Sequence, residues 1–252
     1  MDFELYYYLI FFAVALIAGF IDAIAGGGGM ITIPTLLACG IPPHLALGTN
    51  KLGSVFGSFT AALNFYRQGM FQIKDILFGM FFTFVGAIFG TISVLFIDAN
   101  ILSKILPFMM IAIFLYFLFM PKIGEIDKNK KISENFFYII FGILIGFYDG
   151  FFGPGTGTFW MISIVFFLGY NIKKATARTK VMNFTSNIVS LFVFMMSSNI
   201  LIIVGLLMGF GQIIGAYFGS NFVIKKDIKF IKTIFLFVVG ITIMKLLYEN
   251  YM

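Results

Sequence analysis

Twice in this 252-residue chain an aspartate stands just ahead of a glycine-rich stretch. Asp22 precedes Gly26-Gly27-Gly28-Gly29, and Asp149 precedes Gly153-Pro154-Gly155-Thr156-Gly157, with the motifs Gly19-Phe20-Ile21-Asp22 and Gly146-Phe147-Tyr148-Asp149 spaced 127 residues apart. Such glycine runs disfavour helix. Each is followed by a short apolar segment, starting near Met30 or Thr158, whose first N–H groups have no helical acceptor and carry partial positive charge. Exposed amides of this kind bind anions. Lys51 and Lys180, equivalent positions at a spacing of 129 residues, add full positive charge. The set can recognise a negatively charged solute without making or breaking bonds.

Two readings of the lysines stand at this stage. Each begins a long helix, so each can snorkel to the headgroups. Alternatively, each faces a wet cavity as a counter-charge, because an ionised Lys away from the interface is costly unless paired or solvated. In the second reading Thr49, Asn50 and Thr179 assist, together with Arg178, and Asn183 and Asn187, four apart on one helix face, donate hydrogen bonds to the same cavity or bind neighbouring helices. Asp22 and Asp149 lie near helix C-termini, where a carboxylate opposes the helix dipole. Either a lysine partner or a protonatable role in coupling to an ion gradient, H+ or Na+, gives them a reason to be there.

Other chemistry lacks its parts. His44 and Cys39 are the only residues of their kinds, too few for a zinc site, and no Gly-x-Ser-x-Gly nucleophile elbow or phosphate-binding Gly-Lys-Ser/Thr loop occurs. The expectation is no metal, no cofactor and no enzyme. His44, after Pro42-Pro43, is expected at a helix start, and Trp160 as an interfacial anchor.

The elements that position these residues follow from composition. Hydrophobic residues make up 60% and charged residues 11%, with mean hydropathy +1.02, against about a quarter charged in soluble domains. The chain reads as an all-α polytopic membrane protein. Its net charge of +6 reports orientation and not nucleic acid. The start, Met1-Asp2-Phe3-Glu4, lacks the basic region of a signal peptide. At roughly 20 apolar residues per crossing, eight full-length transmembrane helices are expected at about 5–24, 45–66, 74–97, 100–120, 135–152, 178–197, 200–224 and 229–248. Two half-helices, 30–39 and 158–169, follow the glycine breaks.

The duplication continues beyond the breaks. Gly86-Ala87-Ile88-Phe89-Gly90-Thr91 matches Gly215-Ala216-Tyr217-Phe218-Gly219-Ser220 at the same spacing of 129, and glycines four apart allow close helix crossing. Residues 1–120 and 135–252 are therefore two transmembrane repeats joined by a polar linker, 121–134. Four crossings per repeat keep their orientation parallel, and five invert it. With five and a cytoplasmic linker, 14 of the 17 basic residues fall inside, leaving Lys51, Lys104 and Lys245 towards the outside, as the positive-inside rule favours. Inverted repeats, with both termini outside, are the expectation. Duplicated helix breaks in inverted halves are a mark of secondary transporters.

The first-half run Gly19-Phe20-Ile21-Asp22-Ala23-Ile24-Ala25 with its four glycines, then Pro42-Pro43-His44-Leu45-Ala46-Leu47-Gly48-Thr49-Asn50-Lys51, resembles the TauE/SafE family of sulfite exporters. The second-half motif from Gly146 to Gly157 and the run Ala175-Thr176-Ala177-Arg178-Thr179-Lys180-Val181-Met182-Asn183-Phe184 are similar to its partner motifs. The resemblance implies a prokaryotic inner-membrane permease for sulfite, sulfoacetate and other organosulfur or organic anions. Its implied partners are the small anionic solute, the lipid bilayer, a coupling ion and, in a homodimer, a second copy. A passive anion channel using the same half-helix site is the alternative.

Overall fold

The structure is a computed structural model that describes residues 3–118 and 127–225. Among these residues it is all helix, turn and loop, with no strand. In chain order the helices are α1 (Leu5–Ala25), α2 (Gly29–Ala38), α3 (Pro43–Arg67), α4 (Leu77–Leu95), α5 (Ala99–Leu118), α6 (Glu134–Phe151), α7 (Thr156–Ser163), α8 (Ile172–Met196) and α9 (Ile202–Lys225). A π-helical turn, Ile164–Leu168, extends α7. The expected last helix, 229–248, and residues 121–126 of the linker lie outside the described residues.

Of the eight expected spans, α1, α4 and α9 are long and apolar enough to cross a membrane. Helices α3 and α8 have the length, 25 residues each, without the composition. Their buried faces carry Thr49, Asn50, Lys51 and Ser58, and Thr179, Lys180, Asn183, Ser186 and Asn187. These two helices pack on each other at the centre, α9 lies against α3, and α4 lies against α8. On the outer helices the pattern is reversed, with Phe81, Phe89, Phe210 and Phe218 exposed. Charge turned inward and aromatic rings turned outward suit a protein solvated by lipid.

The Gly-Ala-x-Phe-Gly motifs make the closest helix contacts. A Cβ on Gly86 would meet Ile143 O at 2.4 Å and one on Gly90 would meet Phe147 O at 2.0 Å, so α4 and α6 run parallel in backbone contact. Gly215 and Gly219 do the same against Leu16 O (2.0 Å) and Phe20 O (2.4 Å) of α1. The expected packing role holds. Gly90→Ala is therefore expected to force α4 from α6 and to cost about 1–3 kcal/mol as overpacking, read as a lowered Tm in detergent. An unchanged Tm would contradict so close an approach.

The short helices fold back. Met30, Ile31 and Ile33 share a core with Ala18 and Ile21, whereas Leu36 and Ile41 share one with Phe11 and Ala15. Helix α2 thus retraces α1. In the second half Phe159 meets Tyr148, Phe167 meets Phe141 and Phe137, and the Tyr170 hydroxyl donates to Glu134 Oε1 at 2.7 Å. Helix α7 and its π turn retrace α6. Each glycine break is the tip of a hairpin.

Candidate functional site

The tips meet. Gly26 ends α1 with φ of +78°, in the left-handed region, where glycine carries no steric penalty. Its amide donates to Asp22 O at 2.8 Å. A Cβ on Gly26 would lie 2.4 Å from Gly157 Cα, and one on Gly157 would lie 2.5 Å from Gly26 Cα. The Thr158 hydroxyl ties the crossing by donating to Ala25 O. Among the described residues the Gly29 and Gly157 amides have no hydrogen-bond acceptor, so both helix starts retain the unpaired donors expected of them.

Each lysine reaches across to the aspartate of the other half. Lys51, 1% exposed, donates to Asp149 O at 2.5 Å, Asp149 Oδ1 at 2.8 Å and Asn187 Oδ1 at 3.1 Å. An ammonium has three donors, and all three are engaged. Lys180, fully buried, donates to Asp22 Oδ2 at 2.9 Å and to Asp22 O. The second oxygen of each carboxylate has its own donor: Gly28 N–H to Asp22 Oδ1 at 3.1 Å, and the Ser186 hydroxyl to Asp149 Oδ2. Both lysines are therefore paired inside the protein and do not snorkel, and the site holds two positive and two negative charges.

Between the pairs lies a small polar cavity lined by Asp22, Gly26, Gly29, Asn50, Lys51, Ser54, Asp149, Gly153, Thr156, Gly157, Asn183 and Asn187. Every one is glycine, polar or charged. Asn50 Oδ1 accepts from Thr32 at 2.5 Å and from Ser54 at 3.5 Å, and among the described residues the Asn50 amide NH2 has no acceptor. Asn183 Oδ1 is buried with no partner among the described residues. The described residues contain no cluster of three or more His, Cys, Asp or Glu.

Several residues of the sequence-derived set line no part of this cavity. Gly27 O accepts from Met30 N–H at 3.0 Å, Gly28 serves Asp22 from behind, and Gly155 (φ +78°) shapes the second tip. The Thr49 hydroxyl accepts from Leu201 N–H at 2.9 Å, the Thr179 hydroxyl is buried with no partner among the described residues, and Lys180 is bonded to Asp22. Ser54, Ser186 and Thr32 were missed. Ser54 follows Asn50 by four and Ser186 follows Asn183 by three, so helical spacing from the two asparagines carried the signal.

The family model described as Sulfite exporter TauE/SafE matches residues 11–246. The chain belongs to the TauE/SafE family. It is 44% identical over 254 residues to a probable membrane transporter protein of Haemophilus influenzae, covering 99% of this chain and 98% of that protein. It is 42% identical to the probable membrane transporter protein YfcA of Escherichia coli K12, covering 96% and 90%. A more distant relative is MJ0441 of Methanocaldococcus jannaschii, 29% identical over 70% of this chain and 68% of that protein. No solved structure matches it. It is thus a membrane transporter of the TauE/SafE family.

In this TauE/SafE transporter Arg178 stands apart from the cavity. It donates to Glu134 Oε2 at 3.3 Å and to the Tyr138 hydroxyl at 3.2 Å, and it lies over the Tyr170 ring at 4.2 Å. Burial and the bond to Glu134 push the Tyr170 hydroxyl up to about 12. Nearby, Asp127 accepts from Lys174 Nζ at 2.5 Å and from Asn171 N–H at 2.6 Å. These donors hold its carboxyl below its ordinary value. The linker is thereby tied to the start of α8. His44 does sit at the start of α3, its Nε2 3.0 Å from Val94 O. Trp160 corrects an expectation: it is fully buried rather than interfacial, because α7 folds back into the protein.

Proposed function

We propose that this protein is a secondary-active permease, not an enzyme, that carries small anions such as sulfite, sulfoacetate or other organosulfur and organic anions across a prokaryotic inner membrane by alternating access. The observation that carries the reading is the meeting of two glycine tips around a polar cavity lined by unpaired amides and the buried Lys51. Donors of this kind, aimed at one space inside a bilayer, suit an anion. The relatives' names, probable membrane transporter proteins, support the class.

Inverted repeats fit the hairpins. Because α2 retraces α1 and α7 retraces α6, each hairpin returns the chain to the face it left. Five passes in the first repeat, α1 to α5 in residues 1–120, then start the second, 135–252, from the opposite face, with a cytoplasmic linker. Neither tip contains a basic residue, so the positive-inside count is the same whether the tips span or re-enter. Hairpins entering from opposite faces with touching tips must meet within the bilayer. A passive channel would use the same donors, yet the lysines here are closed off by carboxylates, which suits a carrier.

A thermal-shift panel of sulfite, sulfoacetate, taurine, thiosulfate and simple carboxylates tests the anion. At about 100 times Kd, ligand binding contributes about 2.7 kcal/mol, so a rise of roughly 5–10 °C is expected for at least one anion. No rise with any of them would overturn the reading. In proteoliposomes, saturable flux with counter-transport is expected. Large non-saturating currents would point to the channel instead.

A further inference from the structure

We infer that Asp149 is the proton site of this carrier, that Ser186 is the residue that receives its proton in a hydrogen bond, and that Asp22 stays ionised throughout. The inference rests on the anion-transport reading above. As it stands the site is neutral, with Lys51 against Asp149 and Lys180 against Asp22, and every donor of Lys51 is engaged. An anion entering this cavity meets neutral donors, the Gly29 and Gly157 amides and the Asn50 side chain, but no cation free of a carboxylate, and it brings a negative charge that the buried site does not balance. One proton resolves both. An O–H bond forms at Asp149 Oδ2 with a proton from the bulk solution, given up by buffer acid, the Lys51 hydrogen bond to Oδ1 is released, and the freed N–H donates to the anion. The site's charge is unchanged by the exchange.

The two aspartates differ in the partner of their second oxygen. Asp149 Oδ2 meets a hydroxyl, and Ser186 Oγ also lies 3.1 Å from Met182 O and 3.1 Å from Asn183 O. The Ser186 hydrogen can therefore turn to either carbonyl, leaving its oxygen to accept from a protonated Asp149. Asp22 Oδ1 meets the Gly28 backbone N–H, which only donates and offers nothing to a carboxyl proton. The position equivalent to Ser186 in the first half is Gly57. Asp149 is also the more enclosed, with a side chain 4% exposed against 22% for Asp22. Apart from Lys51 of α3 on Asp149 itself and the Asp22–Lys180 pair across the cavity, the helices around Asp149 bring no charge without its own partner among the described residues. Helix α4 and α7 with its π turn contain no titratable side chain. On α8, Lys180 is held by Asp22, Arg178 by Glu134 and Tyr138, and Lys174 by Asp127, while Lys173 donates to Ile224 O. On α6 itself the neighbouring Tyr148 donates to Pro154 O and Glu134 lies at the far end.

Calorimetry with sulfoacetate and sulfite, in two buffers of different ionisation heat, counts the protons taken up with each bound anion. The parent is expected to take up about one more proton with sulfoacetate than the free anion requires, and its affinity to fall about tenfold per pH unit in the alkaline range. Asp149→Asn should bind without that proton and with little pH dependence, whereas Asp22→Asn should keep it. Infrared difference spectra of the parent should show a protonated carboxyl band on anion addition. That band should be shifted in Ser186→Ala and restored in Ser186→Thr, which decides the matter if Asp149→Asn does not fold. Binding to the parent with no proton uptake, uptake that persists in Asp149→Asn, or its loss in Asp22→Asn would overturn the inference and leave anion transport standing. Failure of the whole anion panel to bind would remove both.

Discussion

Lys51→Ala is expected to lower the Tm in detergent by on the order of 10 °C and to abolish anion flux. The substitution strips Asp149 of its cation while the carboxylate stays buried, and breaking a buried pair from one side costs about 3–5 kcal/mol. For a chain of this size each kcal/mol moves Tm by about 2–4 °C. The intact pair itself contributes far less, since the desolvation of both charges offsets their attraction. Adding Asp149→Asn to Lys51→Met should therefore recover most of the lost Tm without restoring transport. Were the double variant as unstable as Lys51→Ala, the cost would lie in packing and not in the stranded charge.

Gly26→Ala is expected to have a comparable effect through the backbone. The new Cβ would sit 2.4 Å from Gly157 Cα on a residue whose φ is +78°, so the left-handed conformation costs about 1–2 kcal/mol before the crossing is forced apart. Gly157→Ala attacks the same contact from the other side. Because both relieve one clash by separating the same two tips, the double variant should lose less than the sum of the singles, as coupled neighbours do. Strict additivity in Tm would show that the tips do not touch in the membrane. Anion-induced stabilisation should vanish in both single variants, since the cavity is built at this crossing.

Much of this arrangement was legible in the sequence. The breaks, the half-helices and the polar faces of α3 and α8 follow from residue type and period, and the helices begin and end within a few residues of the expected limits at most positions. The lysine partners were not legible in detail, because Lys51 and Asp149 are 98 positions apart and Lys180 and Asp22 are 158 apart. Periodicity says nothing about which aspartate comes to which lysine. Thr49 and Thr179 fall outside the cavity lining for a simpler reason. The Thr49 hydroxyl is turned to Leu201 N–H, away from the cavity that its neighbours Asn50 and Lys51 line, and Thr179 is buried outside it. Ser54 and Ser186 sit at the correct helical spacing and were passed over as ordinary small residues. Trp160 followed a rule for the ends of membrane spans, but its helix turns back into the protein.

The parallel seating of α6 on α4, and of α9 on α1, has a consequence for biogenesis. When the ribosome has completed residues up to Leu118, the glycine face of α4 and the face of α1 that receives the α9 glycines still lack the helices that cover them, for those are encoded after the linker. The early half must wait in the lipid with its grooves unfilled, and the late half must thread in beside it. Neither product of a gene cut at the linker would mature alone, whereas two fragments expressed together should reassemble.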